Sequence, residues 1–192
     1  LMWLQQELRL GAAEMDRALN HGSGLLGLAG TADMAEIVRR RADPDGVADG
    51  QRAGGPAVGQ PTGTSACQPA GEGAVAGDRV RTGADAALAF DIYVTRVAKA
   101  VAAMVVSLGS LDALVLTGGV GEHAPDVRAE VVDQLGFLGV GIDHGANEAV
   151  DVDAVGDADI THTSALVRTL VVRAREDLEI ARETRATLGH LA

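Results

Sequence analysis

The residues that first point to chemistry lie in the stretch DALVLTGGVGEHAPDVR, residues 112–128. An apolar run ends at Gly118, Gly119 and Gly121, and an amphipathic segment follows directly. If the run is a strand and the segment a helix, the turn presents backbone N–H groups at a helix N-terminus, where they suit a phosphate or the ribose of a nucleotide. Glycines let a ligand approach the backbone without Cβ clashes. The turn is therefore a candidate nucleotide-binding site.

The glycine pattern taken alone also fits a tight connection that binds nothing. It differs from the dinucleotide motif G-x-G-x-x-G, because Ala124 stands at the third position after Gly121. It also lacks the lysine of a P-loop. A Rossmann-type site needs an acidic residue about 20 positions past the glycines, and Gly139, Val140 and Gly141 stand there instead. A dinucleotide-binding fold is therefore disfavoured.

Two acidic residues stand at helix starts, where the residues alone indicate a structural role. Glu176 opens the last helical segment, where a carboxylate is favourable through the helix dipole alone. Asp33 stands near the start of an earlier helix and can cap it. His123, beside the glycine turn, has the alternative of a surface histidine. Three further histidines lack metal-ligand spacing and are assigned no role: His144, His162 and His190.

The elements that must position the glycine turn are a strand before it and a helix after it. Residues 111–116 are too apolar for a strand with a wet face and predict a buried one. Pro125 suits the first turn of the following helix, with Val127, Val131 and Leu135 facing inward.

A long helix is predicted before that strand, from Ala84 to the stop at Gly109. Its inward stripe is predicted at helical spacing: Leu88, Ile92, Val97, Val101, Met104, Val105 and Leu108. Past the glycines, short strands are predicted over 137–142, from Ile160 and over 166–172. An amphipathic helix over 176–191 completes an α/β layout with a mostly central sheet.

The first 41 residues are predicted to be largely helical. Residues 1–20 show helical spacing around Gly11, whereas residues 25–28 predict a short strand or extended piece. Thr31 suits the N-cap of a helix that ends in the arginines of residues 39–41. Those arginines are interpreted as a solvated helix end, favourable for the helix dipole.

Residues 43–83 differ in composition from the rest of the chain. They hold four of the five prolines and many glycines, without a periodic apolar pattern. Such a segment cannot bury enough surface to offset its ordering entropy, so a disordered Gly/Pro-rich insertion is predicted. A tolerated insertion and a frameshifted stretch remain open as its origin.

Composition disfavours several classes of partner. The net charge of −11 repels phosphate backbones and anionic lipid heads, so neither nucleic acid nor a membrane surface is an expected partner. The single cysteine, Cys67, excludes an intramolecular disulfide and a multi-cysteine metal site and fits a reducing cytoplasm. No apolar stretch reaches the roughly 18 residues of a membrane helix, and the first residues lack a signal-peptide pattern. A cytoplasmic location is predicted.

Three segments resemble, in the same order, the C-terminal domain of acetate kinases. They are LNHGSGLLGLAGTADM, then LDALVLTGGVGEHAPDVR with FLGVGID, and finally EDLEIARET. The resemblance covers residues 1–41 and 84–192, taken as one nucleotide-binding domain, and leaves 43–83 unmatched. It implies an α/β fold of the actin-like ATPase (ribonuclease H-like) type, with a central mixed sheet flanked by helices.

The resemblance also implies site residues and cofactors. Two runs would contact ATP or ADP: Gly119, Val120, Gly121, Glu122 and His123, and Asp33, Met34 and Ala35. The family usually has Asn where His123 stands and Arg where Ala35 stands. Glu176 matches a glutamate assigned to Mg²⁺, a cation that prefers hard oxygen ligands.

The implied activity is reversible transfer of the γ-phosphoryl group of ATP to acetate. The family's first phosphate loop, catalytic aspartate, transition-state arginines and acyl pocket belong to an N-terminal half without a counterpart here. No catalytic residue is therefore assigned, and the isolated chain is expected to turn over little or nothing. A small carboxylate would bind only with that half, and a homodimer is expected. A non-catalytic nucleotide-binding or dimerisation module, one half of a split kinase, and the identity of the acceptor acid stay open.

Overall fold

The structure, a computed structural model, describes residues 11–43 and 81–189 of the chain. The chain forms two compact units, Leu1–Phe90 and Asp91–Ala192. The described helices of the first unit are α1 (Ala12–Asn20), α2 (Gly24–Ala29) and α3 (Met34–Arg41), and α4 (Gly83–Leu108) begins there and ends in the second unit. The predicted insertion at 43–83 lies outside the described residues except at its two ends.

The second unit contains the described strands, alternating with short helices. Its elements after α4 are β1 (Ala113–Leu116), α5 (Gly118–His123), α6 (Pro125–Gln134), a 3-10 turn (Gly136–Leu138), α7 (His144–Glu148), β2 (Ala158–Asp159), β3 (Arg168–Val171) and α8 (Glu176–Gly189). None of the helices within residues 11–43 and 81–189 is long and apolar enough to cross a membrane.

The sheet is mixed, as predicted, with strand order β1-β3-β2. β1 and β3 run parallel, with Leu116 opposite Val171, and β2 runs antiparallel to β3. The N–H of Val172 donates to the carbonyl of Leu116 at 2.9 Å, so the parallel pairing reaches the carboxyl ends of both strands. The polypeptide that leaves β1 and the polypeptide that leaves β3 therefore emerge side by side.

Helix α6 buries the face that its sequence predicts. Pro125 occupies the first position, where a missing N–H costs nothing. Val127, Val131 and Leu135 are buried, in agreement with the helical spacing. The predicted inward face of α6 is therefore confirmed.

Helix α4 is confirmed, but its predicted inward stripe is only partly right. The fully buried positions are Ala86, Ala89, Phe90, Val94 and Ala98. Of the predicted stripe, Val97, Val101 and Val105 are half-buried. Leu88 is 51% exposed, and Met104 and Leu108 are also exposed. Apolar residues occupy all sides of this helix, so periodicity alone does not choose a face, and the alanines permit the closest approach of neighbouring chain. The predicted stop is confirmed, because Gly109 has a φ of +77°.

Three further local predictions are corrected. Residues 25–28 lie in helix α2, not in a strand, because Gly30 in the left-handed region closes a helical turn there. β1 is not buried on both sides, since Leu114 is buried but Val115 is 50% exposed. Residues 137–142 contain the end of a 3-10 turn and two isolated bridges in place of a strand.

Candidate functional site

The glycine segment is itself a short helix at the carboxyl end of β1. Thr117 precedes it in extended conformation, and α5 covers all six residues from Gly118 to His123. Ala124, with φ −116° and ψ 84°, separates α5 from α6. The sequence predicted a turn followed by one helix, whereas the structure has two helices with a break between them.

The three glycines of α5 have different surroundings. Gly118 has a φ of +75°, which a side chain rarely tolerates. A Cβ on Gly121 would lie 3.2 Å from the carbonyl carbon of Leu116, so its absence lets α5 pack on the end of β1. A Cβ on Gly119 would meet nothing within 4 Å, and its φ is not positive. Gly119 therefore faces open space that a ligand can occupy.

The carboxylate of Glu122 ties α5 to a second segment. Its Oε1 accepts hydrogen bonds from the backbone N–H of Gly118 at 2.6 Å, the N–H of Ala174 at 2.9 Å and the hydroxyl of Thr117 at 3.4 Å. The residue is only 7% exposed. The N–H of Ala174, followed by that of Gly118, lowers the pKa of Glu122 despite burial, which acts to raise it.

These bonds change one expectation for the site. The sequence predicted free N–H donors at the start of the glycine helix, but the donor of Gly118 is already taken by Glu122. An anion at that position would have to displace a carboxylate from the same helix. The open approach is therefore beside Gly119, not at the first amide.

The segment before α8 is fixed by a neighbouring loop as well as by Glu122. The Oδ1 of Asp157 accepts from the N–H of Arg173 at 3.1 Å and from the guanidinium of Arg175 at 3.2 Å. Arg173 also pairs with Asp153 at 3.3 Å. The position from which Glu176 starts α8 is consequently determined by bonds on both sides of the segment.

Glu176 presents an exposed carboxylate at the first position of α8. It forms no ion pair with any residue in the described part of the chain. Within that part there is also no group of three or more His, Cys, Asp or Glu side chains able to hold a metal ion. A single free carboxylate fits Mg²⁺ only if phosphate oxygens and water complete its shell, as this cation usually allows.

Arg128 is a site-supporting residue that the sequence analysis missed. Its guanidinium is 1% exposed and donates to the carbonyls of Gly121 at 3.0 Å and Glu122 at 2.7 Å, at the end of α5. It also donates to Oδ1 and the carbonyl of Asn147, at 2.6 and 2.7 Å. Burial lowers the pKa of Arg128. The only sequence signal is an arginine at a position of α6 next to inward valines.

The run Asp33–Ala35 belongs to the first unit, whereas α5 and Glu176 belong to the second. Asp33, not the predicted Thr31, is the N-cap of α3, and its Oδ1 accepts from the N–H of Ala35 at 3.0 Å. Thr31 instead accepts from the N–H of Asp33 at 3.1 Å. Met34 is buried and Ala35 is exposed. The structural alternative for Asp33 is therefore realised, and its predicted nucleotide contact stays a prediction.

Comparisons with known proteins match the chain to one family. A model of the Acetokinase family matches residues 75–182. The chain is 32% identical to an acetate kinase of Syntrophobacter fumaroxidans over 97% of the chain and 35% of that protein. Among solved structures, an acetate kinase of Porphyromonas gingivalis has a TM-score of 0.70 at 25% identity, covering 97% of this chain and 37% of that one. A propionate kinase from Francisella tularensis has a TM-score of 0.67 at 28% identity, covering 95% and 36%.

These matches bear on fold and on length. They confirm the predicted α/β fold of the actin-like ATPase type. The chain spans about a third of the length of the curated relatives that it matches along nearly all of its own length. The family match runs from before α4 to within α8 and so includes the glycine helix, the Glu122 bonds and Glu176. Because it covers more than half of the residues, the chain belongs to the Acetokinase family.

Proposed function

We propose that this chain supplies the nucleotide-binding part of an acetate kinase, which transfers the γ-phosphoryl group of ATP reversibly to a short-chain carboxylate. The observation that carries the proposal is the glycine helix α5 at the carboxyl end of β1, with open space beside Gly119. Ligands of open α/β sheets bind at the carboxyl ends of strands. Family membership makes ATP or ADP the expected occupant.

The proposed contacts follow the glycine helix. Gly119, Val120 and Gly121 offer backbone to the nucleotide, and Glu122 and His123 complete the run. The side chain of Glu122 is already engaged, so it contributes through its backbone. His123 is exposed at the last position of α5 and replaces the asparagine usual in the family.

Two further contacts are proposed outside α5. Asp33, Met34 and Ala35 would touch the nucleotide, with Met34 using its backbone because its side chain is buried. Glu176 would hold Mg²⁺ through its exposed carboxylate. Bound magnesium supplies neutralisation of charge on the phosphates in phosphoryl transfer. The cofactors are accordingly ATP or ADP and Mg²⁺.

The proposal assigns nucleotide binding, but not phosphoryl transfer, to this chain alone. Phosphoryl transfer depends on positioning and on cationic groups around the transferring phosphoryl. Two thirds of the relatives' length has no counterpart in the 192 residues. We therefore expect ADP binding without appreciable formation of acetyl phosphate by this chain alone.

Calorimetry and an activity assay test this. ADP with Mg²⁺ should give a measurable binding isotherm with the 192-residue chain, and acetate, ATP and Mg²⁺ should give acetyl phosphate at background level. Propionate and butyrate are run alongside acetate, because a propionate kinase is among the structural neighbours. Absence of both ADP and ATP binding contradicts the nucleotide site. Robust formation of acetyl phosphate contradicts the proposal that this chain binds nucleotide without catalysing transfer.

A second candidate is a dimerisation module or one half of a split kinase, acting in the cytoplasm. Exposed apolar side chains of the second unit, among them Val115, Met104 and Leu166, favour it. Sedimentation velocity of the chain measures the dimer directly. A monomer at all concentrations argues against the dimerisation role and leaves the nucleotide proposal intact.

A further inference from the structure

Glu122 occupies the point where two parallel strands end. Thr117 and Gly118 follow β1, and Ala174 follows β3 after Val172 has made the last parallel bond. One oxygen of Glu122 accepts from donors on both exits, at 2.6 Å from Gly118 N and 2.9 Å from Ala174 N. The same segment starts α8 two residues later, at Glu176.

We propose that Glu122 is a positioning residue that couples the glycine helix to the start of α8. It fixes the distance and orientation between the protein backbone at Gly119, which would contact the nucleotide, and the carboxylate of Glu176. The proposal rests on the proposed function for its consequence in binding. The coupling itself rests only on the hydrogen bonds of one buried carboxylate.

A direct role for this carboxylate at the ligand fits the geometry poorly. Its Oε1 already has three donors, and the residue is nearly inaccessible to solvent. A phosphate is also anionic, so it would compete with Glu122 for the same amides and be repelled by its charge. The side chain therefore acts on the site through the two backbones that it joins.

Acceptor chemistry distinguishes positioning from direct contact. Glu122→Gln keeps an acceptor oxygen for Gly118 and Ala174 but removes the charge. Glu122→Met has a similar length and removes the acceptor. If Glu122 positions the two segments, the effect appears when the acceptor oxygen is lost, in Glu122→Met. If Glu122 contacts the phosphate or the cation, the effect appears when the charge is lost, in both variants. Asp159→Asn is the matched control, because Asp159 is a second carboxylate held by hydrogen bonds, to Arg168 and Thr161, away from α5.

Amide hydrogen exchange of the 192-residue chain, followed by NMR at neutral pH, tests the coupling without any nucleotide. In Glu122→Met, exchange at Gly118 and Ala174 should rise together by about tenfold or more, since both lose a charge-assisted bond. Glu122→Gln should raise both less, and Asp159→Asn should raise neither. A change at only one of the two amides, or at neither, overturns the proposal.

The unmodified chain gives a second measurement that needs no substitution. Both amide proton shifts should move on acidification with one common midpoint below the ordinary pKa of a glutamate, because the same carboxylate gains the proton. Absence of this common transition at either amide overturns the proposal, whereas an additional transition at Ala174 belongs to Asp157, which accepts from the adjacent N–H of Arg173.

Affinity for ADP with Mg²⁺ then tests the consequence for the site. Glu122→Met should weaken binding by about tenfold or more, and Glu122→Gln by no more than about threefold, while Asp159→Asn leaves it unchanged. Equal loss in the Gln and Met variants points to a charge contact and overturns positioning. If the unmodified chain binds no ADP, the proposed function fails, and the exchange data still decide the coupling.

Discussion

At the scale of single residues, the sequence predicted where Gly118, Gly119 and Gly121 lie but not what each of them does in the structure. The apolar run before the glycines located the glycine segment at the end of a strand, and its place after β1 is confirmed. That Gly118 serves a positive φ and Gly121 a close packing contact became visible only with the backbone. The engagement of Glu122 with Ala174 could not be predicted either, because it joins residues far apart in sequence.

The open position of Gly119 yields a prediction. Gly119→Ala adds a methyl group that meets no protein atom within 4 Å, so the free energy of unfolding should change by less than about 1 kcal/mol. The same methyl group should obstruct a nucleotide against the backbone and weaken ADP binding about tenfold or more. Isothermal titration calorimetry and urea unfolding measure the two effects.

Gly136→Ala is the matched control for that experiment. Gly136 also has open space at its Cβ position and lies in the 3-10 turn. It should leave both stability and ADP binding nearly unchanged. Equal ADP affinity in the Gly119→Ala and Gly136→Ala variants would count against a ligand beside Gly119.

Arg128 yields a prediction about stability. Arg128→Met removes four hydrogen bonds and leaves the carbonyls of Gly121, Glu122 and Asn147 without their buried donor. A loss of about 3 kcal/mol in the free energy of unfolding is expected, since bonds from a charged donor contribute more than neutral ones. Urea denaturation gives the value.

An exposed arginine supplies the control for Arg128. Among the described residues, Arg182 pairs with Glu179 alone, on the surface of α8 at 3.4 Å. Arg182→Met should cost no more than about 0.5 kcal/mol. Similar losses for the two variants would mean that the buried guanidinium does not hold the end of α5.

At the scale of elements, periodicity predicted which segments are helical better than it predicted their packing. Both the existence of α4 and its stop at Gly109 are confirmed, and so is the inward face of α6. The partly wrong stripe on α4 has a physical cause, because a helix that is apolar on every side has no unique period. The arginines at the end of α3 illustrate the same limit. Arg40 donates to the carbonyl of Ala29 at 3.2 Å, and Arg41 stacks on the ring of Phe90 at 3.9 Å, so both are packed and not solvated as predicted.

The buried face of α4 can be tested with two truncations that lie two residues apart. Phe90 is 1% exposed and lies under Arg41, so Phe90→Ala should cost about 3–5 kcal/mol of unfolding free energy. Leu88, which the predicted stripe placed inward, is half exposed, and Leu88→Ala should cost less than about 1 kcal/mol. Thermal or urea unfolding compares them. The reverse order of losses would restore the stripe that the sequence predicted.

At the scale of the whole molecule, the family could be predicted from three segments in order, whereas composition and charge only disfavoured other classes. Exposed apolar side chains of the second unit, among them Val115, Met104 and Leu166, have no described cover. Such side chains on a chain that spans about a third of its relatives' length are compatible with a complementary part that packs on this one. The sequence could not show this, since the exposure of a side chain depends on how the folded chain packs.

Complementation is therefore the prediction that belongs to the whole molecule. The part of a curated relative that this chain does not match, such as the remaining two thirds of the Syntrophobacter fumaroxidans acetate kinase, is produced as a separate chain and mixed with these 192 residues. Acetyl phosphate formation from ATP, Mg²⁺ and acetate should rise at least about 100-fold over either chain alone, because positioned cationic groups contribute that much or more to phosphoryl transfer. The Gly136→Ala chain should restore activity as well as the unmodified chain, and the Gly119→Ala chain should restore about a tenth or less at limiting ATP. Activity that appears equally with both variants would place the nucleotide elsewhere, and no activity in any mixture in which the two chains demonstrably associate would refute the complementary-part hypothesis.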